Sequence, residues 1–247
     1  MDDLPVRRFE GHDGVRLAYR EIGRGKPLVL LHGFCSSAVG NWVSAGHAAK
    51  IAARGHRVIM PDHRAHGDSA KPHDPAAYPP DVLADDCFAL IETLGLTGYD
   101  LGGYSIGGRI VVRTLVRGAA PDRAVVAGIG LDLALRRAAI DDIARPVLAG
   151  RGPFEPGSPH GLLDAFLDQA GGDRVALLNV LGTLVDTPRE ALGRIEVPAL
   201  VLIGEDDTQT DARALAEALP RGRLAMIPGD HVSLPGLAGA ITDFLDP

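Results

Sequence analysis

Ser105 sits in the run Asp100-Leu101-Gly102-Gly103-Tyr104-Ser105-Ile106-Gly107-Gly108, which contains one Gly-x-Ser-x-Gly pentapeptide. An apolar β-rich run leads into it, and the spacing of Ile106, Ile110, Val111 and Leu115 leads out as a helix. A sharp strand-to-helix bend needs small residues around it. It forces the central serine into a strained conformation, with Oγ exposed beside the first N–H groups of the helix. A serine hydroxyl is a poor nucleophile near neutral pH and has to be activated by an adjacent base. Nine histidines are available. His231, in Ile227-Pro228-Gly229-Asp230-His231, follows the last expected strand and can take and return a proton near pH 7. Carboxylates able to orient a histidine stand at Asp206 and Asp207, after Leu202-Ile203-Gly204-Glu205, and at Asp132. These residue types point to nucleophilic acyl transfer.

The elements that must position them alternate. Val15–Glu21 has the period of a half-exposed strand. Pro27–Leu31, Arg57–Met60, Asp100–Tyr104, Ala124–Ile129 and Ala199–Ile203 are short apolar runs bounded by Gly, Pro or Asp, and Leu224–Ile227 is a shorter one. Such runs are expected to be strands covered on both faces. Helix-length segments lie between them, at Trp42–Arg54, Pro80–Leu94, Ile106–Arg117, Asp211–Leu219 and Leu234–Phe244. This alternation implies an α/β fold, a mostly parallel twisted sheet with helices on both faces. From about Leu131 to Arg194 the rhythm breaks into a helical pattern with a Gly/Pro-rich loop at Gly150–Gly161. Residues 1–130 and 195–247 are therefore expected to form the core, and 131–194 a helical lid inserted between two strands.

With these motifs in order, the chain resembles the α/β-hydrolase fold family, in particular its bacterial serine esterase-like group, over essentially its whole length. His32-Gly33-Phe34 resembles the family's His-Gly oxyanion motif. Asp62-His63-Arg64-Ala65-His66-Gly67-Asp68-Ser69 resembles its Asp-x-Arg-Gly-x-Gly-x-Ser turn, with Ala65 where glycine is usual. Tyr104 stands where histidine is frequent. The resemblance implies Ser105 as nucleophile, His231 as general base and, from the Gly-x-x-Asp spacing, Asp207 as the acid, with Asp206 and Asp132 as the alternatives. It implies the backbone N–H groups of Phe34 and Ile106 as oxyanion donors, and for His32 the side chain would orient its loop. The implied function is hydrolysis of a small carboxylic ester or lactone through an acyl-enzyme. Carbon–carbon bond hydrolysis or thioester hydrolysis on the same triad, or a small-molecule receptor built on the fold, are the alternatives.

Composition narrows the partners. The 247 residues carry 32 acidic and 25 basic side chains, a net charge of −7, with no long Lys/Arg run. This argues for a small-molecule substrate and against nucleic acid or an anionic membrane. No signal segment or membrane-length apolar stretch is visible, so a cytoplasmic location is expected. Neither a metal nor a cofactor is expected: His63 and His66 match no zinc-ligand spacing, and they read as loop-fixing. Gly23-Arg24-Gly25-Lys26-Pro27 lacks the Ser/Thr of a phosphate loop and reads as a hairpin turn. Cys35 reads as packing, and Arg136-Arg137 as a solvated charge pair.

Overall fold

In Lys26–Leu31 every side chain from Leu28 onward is buried, yet alternate ones enter different cores. Val29 and Leu31 join one hydrophobic cluster, Leu28 and Leu30 another. Successive strand side chains point to opposite faces, so this strand is covered on both sides, as its unbroken apolar run requires. The computed structural model describes residues 4–207 and 211–246. In chain order the strands are β1 (Arg7–Glu10), β2 (Arg16–Ile22), β3 (Lys26–Leu31), β4 (His56–Asp62), β5 (Asp100–Tyr104), β6 (Arg123–Ala127), β7 (Ala199–Gly204) and β8 (Gly222–Ile227). The helices are α1 (His47–Ala52), α2 (Val82–Thr93), α3 (Ile106–Val116), α4 (Leu131–Leu135), α5 (Ala138–Leu148), α6 (Pro159–Ala170), α7 (Arg174–Thr183), α8 (Arg189–Leu192), α9 (Ala212–Ala218) and α10 (Leu237–Leu245).

Among the described residues the strands form one eight-stranded sheet in the order β1-β2-β4-β3-β5-β6-β7-β8. Only β2 runs antiparallel to its neighbours β1 and β4; the other pairs are parallel. The expected α/β class is borne out. One face is packed by the turn at Val39–Val43, α1 and α10 through Trp42, Ile51, Leu237 and Ile241, the other by α2, α3 and α9 through Leu90, Ile110, Val111 and Leu215. Each such side chain taken fully from water contributes about 1.5–3 kcal/mol. The strand order reverses between β3 and β5, and the chains leaving their C-terminal ends go to opposite faces. In open α/β sheets a divergence of this kind, at the C-terminal ends of the strands, is where ligands bind.

Two expectations need correction. The turn at Gly23–Pro27 is no hairpin, because β4 lies between β2 and β3. Gly23 and Gly25 instead take left-handed conformations against the backbone of His56 and Gly55, where a Cβ would collide. The segment Trp42–Arg54 is not one helix. A π-helical turn at Val39–Val43 ends before Gly46 (φ 72°), and α1 starts anew at His47.

Between β6 and β7 the chain runs through α4 to α8. Ser158 caps α6 through its Oγ, with Pro159 at the first helical position, and Asp173 caps α7. These are the side chains that satisfy free first-turn amides. Arg109, buried in α3, donates to the carbonyl of Leu133 at one end of this segment and to that of Val185 (2.6 Å) near the other. No helix among the described residues is long and apolar enough to cross a membrane.

Candidate active site

Ser105 occupies the bend between β5 and α3 with φ 54° and ψ −119°, a region that non-glycine residues avoid and that costs about 1–3 kcal/mol. The neighbours show what holds it there. A Cβ on Gly103 would collide with the backbone of Gly107, and one on Gly107 would collide with the carbonyls of Leu31 and His32. The Ser105 amide donates to the Ala127 carbonyl at 2.8 Å, tying the bend to β6. Only glycines let β5, α3 and the end of β3 approach this closely.

His231 lies between β8 and α10. Its Nδ1–H donates to Asp207 Oδ2 at 2.8 Å, and its Nε2 lies 3.3 Å from Ser105 Oγ, in reach to accept that hydroxyl proton. The Asp207 side chain is inaccessible to solvent, whereas the imidazole is 30% exposed. The loops that carry Asp207 and His231 are stitched through their backbones: Glu205 N donates to Ile227 O and Asp206 N to Gly229 O. A Cβ on Gly204 would strike the Gly229 carbonyl, so the glycine sets how close the two loops come. Asp206 is exposed on the same turn. Asp132 is exposed as well, in an ion pair with Arg136 one helical turn away.

The loop after β3 passes directly over the serine, since a Cβ on Gly33 would sit 3.5 Å from Ser105 Cβ. Phe34 therefore follows a residue in contact with the bend, and Ile106 opens α3, where first-turn N–H groups lack helical acceptors. His32 is fully buried. Its Nδ1–H donates to Gly33 O at 2.7 Å and its Nε2 accepts the His63 amide at 3.0 Å. Burial, with His63 and His66 nearby, pushes its pKa well below the ordinary histidine value, which keeps it neutral.

The Asp62–Ser69 turn supports that loop. Asp62 accepts the amides of Ala38 (2.7 Å) and Asp68 (2.9 Å), and Ser69 Oγ donates to the Asp62 carbonyl. Buried Arg64 is held by Asp86 and Asp13. Ala65 adopts φ 71°, so the turn keeps the hand that glycine would give it, at about 1–2 kcal/mol of strain. Cys35 is core, and burial raises its thiol pKa. Among the described residues no group of His, Cys, Asp and Glu is arranged to hold a metal ion.

Two contacts were not legible beforehand. Asn41 Oδ1 accepts the Gly33 amide at 2.8 Å, and the Tyr104 hydroxyl donates to the backbone carbonyl of His231.

Residues 26–139 match the family model described as alpha/beta hydrolase fold. An AB hydrolase superfamily protein, YisY, from Bacillus subtilis is 28% identical over 78% of this chain and 78% of its own. The bifunctional esterase/perhydrolase DCH of Acinetobacter calcoaceticus is 26% identical over 90% of this chain and 91% of its own. An esterase from Exiguobacterium antarcticum superposes with a TM-score of 0.77 at 20% identity, covering 97% of this chain and 99% of that one. The protein has the α/β-hydrolase fold, and the relatives it resembles in sequence include an AB hydrolase superfamily protein and an esterase.

Proposed function

We propose that the protein is a serine hydrolase that cleaves a small carboxylic ester or lactone through an acyl-enzyme. The observation that carries this reading is the relay from Ser105 Oγ to His231 Nε2 and from His231 Nδ1 to Asp207. Ser105 Oγ attacks the carbonyl carbon while His231 Nε2 takes its proton. The oxyanion formed is met by the amides of Phe34 and Ile106, each such donor being worth about 2.7–4 kcal/mol where one has been removed. His231 then protonates the leaving alkoxide, and a water activated by the same imidazole releases the acid. Asp207 fixes the tautomer and stabilises the imidazolium.

The helical segment 131–194 acts as a lid over Ser105. In support, Phe34 packs into the cluster that contains Leu167, Leu177 and Val180 of the segment. His73 also binds Asp173 across to it at 2.8 Å. The likeness to an esterase/perhydrolase supports acyl chemistry and leaves the acyl group to the pocket.

The test is a panel of p-nitrophenyl short-acyl esters, lactones, thioesters and vinylogous diketones, with Ser105→Ala as control. Turnover of a short ester or lactone that disappears in Ser105→Ala is expected. Turnover confined to thioesters or diketones would reassign the bond cleaved, and tight binding with no turnover would favour a receptor.

A further inference from the structure

The N–H of Phe34 is framed by bonds on both sides. The preceding amide, Gly33 N–H, donates to Asn41 Oδ1 at 2.8 Å, and the following one, Cys35 N–H, donates to His66 Nε2 at 3.1 Å. The carbonyl of the peptide that carries the Phe34 N–H is held by His32 Nδ1–H and by the Ser36 amide. In a trans peptide the N–H points opposite to its C=O. Among the described residues the Phe34 N–H has no acceptor, although its neighbours at Gly33, Cys35 and Ser36 are all engaged.

His66 is suited to this. Its Nδ1 lies 2.9 Å from the Arg64 carbonyl, which can only accept, so Nδ1 carries the proton and Nε2 presents a lone pair. The ring is 3% exposed. Burial lowers its pKa to about 4 and preserves the neutral acceptor. Cys35, whose amide it holds, takes φ 60°, a left-handed conformation that a side-chain-bearing residue leaves when its restraint is removed.

We propose that Asn41 and His66 are positioning residues that clamp the two peptides flanking the Phe34 amide and aim that N–H at the developing oxyanion. This rests on the reading of Ser105 as nucleophile and Phe34 as oxyanion donor. Neither side chain touches substrate; each acts through the backbone.

The test uses two variants of similar polarity that move the acceptor by one bond, Asn41→Gln and His66→Asn. Rates are expressed per Ser105 titrated with a fluorophosphonate, so that any unfolded fraction drops out. Each variant is expected to lower kcat on p-nitrophenyl acetate by roughly 10- to 100-fold with KM changed by no more than about twofold. Affinity for a boronic acid, which forms a tetrahedral adduct on the serine, falls by the same factor as kcat/KM. His66→Gln, which returns an acceptor to the reach of Nε2, recovers most of the loss. An active parent whose two variants keep kcat and boronate affinity within about threefold overturns this inference alone. A loss that lies in KM, or that His66→Gln does not recover, also overturns it. A parent inert to ester and fluorophosphonate alike overturns the nucleophile reading, and this inference with it.

Discussion

The hydroxyl of Tyr104 donates to the backbone carbonyl of His231, and the two rings lie tilted by 41° with centroids 5.4 Å apart. The residue just before Ser105 thus grips the loop that carries His231. The ring has its place because position 128 is glycine: a Cβ there would lie 2.8 Å from the Tyr104 ring. Tyr104→Phe keeps the ring and removes the bond. It should lower kcat about tenfold with little change in KM, through a displaced imidazole, and cost about 1 kcal/mol of stability. Steady-state kinetics and a thermal melt check both; an unaltered kcat would mean that packing alone holds His231.

Asp207 and Asp206 are neighbours with different surroundings. The first is shielded and bonded to His231 Nδ1, the second points to solvent. Asp207→Asn should reduce kcat by about three to four orders of magnitude, since the amide supports the wrong tautomer. Asp206→Asn should stay within a few-fold. The reverse result would reassign the acid.

Glycines at the bend and on a helix surface should respond oppositely to a methyl group. Gly103→Ala and Gly107→Ala push a Cβ into backbone that cannot move, a cost of about 3 kcal/mol or more. Gly239, inside α10, has nothing within 4 Å of its added Cβ, so Gly239→Ala should raise stability by up to about 1 kcal/mol. Chemical denaturation of the three variants decides it.

Acid should unfold the protein partly through its buried histidines. Burial lowers His66 to about 4, and burial together with His66 lowers His63 to about 3. In the unfolded chain both titrate near 6.5. Between those values the unfolded state binds more protons, so stability is complete above pH 6.5 and declines as pH falls through the folded values. Buried Asp62 and Asp86, both raised, act in the opposite sense. The clean observable is therefore a difference: the Tm of His66→Gln should fall less steeply than that of the parent between pH 6.5 and 4. Parallel curves would remove His66 from the acid response.

The sheet was legible because β3, β5, β6 and β7 are covered on both faces, which forces continuous apolar runs. The edge strand β1, Arg-Arg-Phe-Glu, buries only Phe9, and so short and charged a segment carries no period to read. Ser105, Asp207 and His231 stand at the ends of strands, where the chain must turn and where motif spacing survives; the structure brings all three within hydrogen-bonding reach. Asn41 was invisible for the opposite reason. Its partner, the Gly33 amide, is backbone, and any residue but proline at position 33 would offer the same donor. Helix α5 continues through Pro146, a residue that sequence rules take as a stop.

Arg109 holds the carbonyls of Leu133 and Val185 from a side chain that is 1% exposed, and burial lowers its pKa to about 10. The polypeptide between these two points is closed like a drawstring bag, its mouth fixed to the helix that follows Ser105. Lengthening such a closed segment costs little, about 0.6 kcal/mol per doubling, because the mouth stays where it is. The helices inside can then be exchanged or resized while Ser105, His231 and the sheet keep their places. On the reading of this segment as a lid, a change of substrate would thereby be separated from any change in the chemistry.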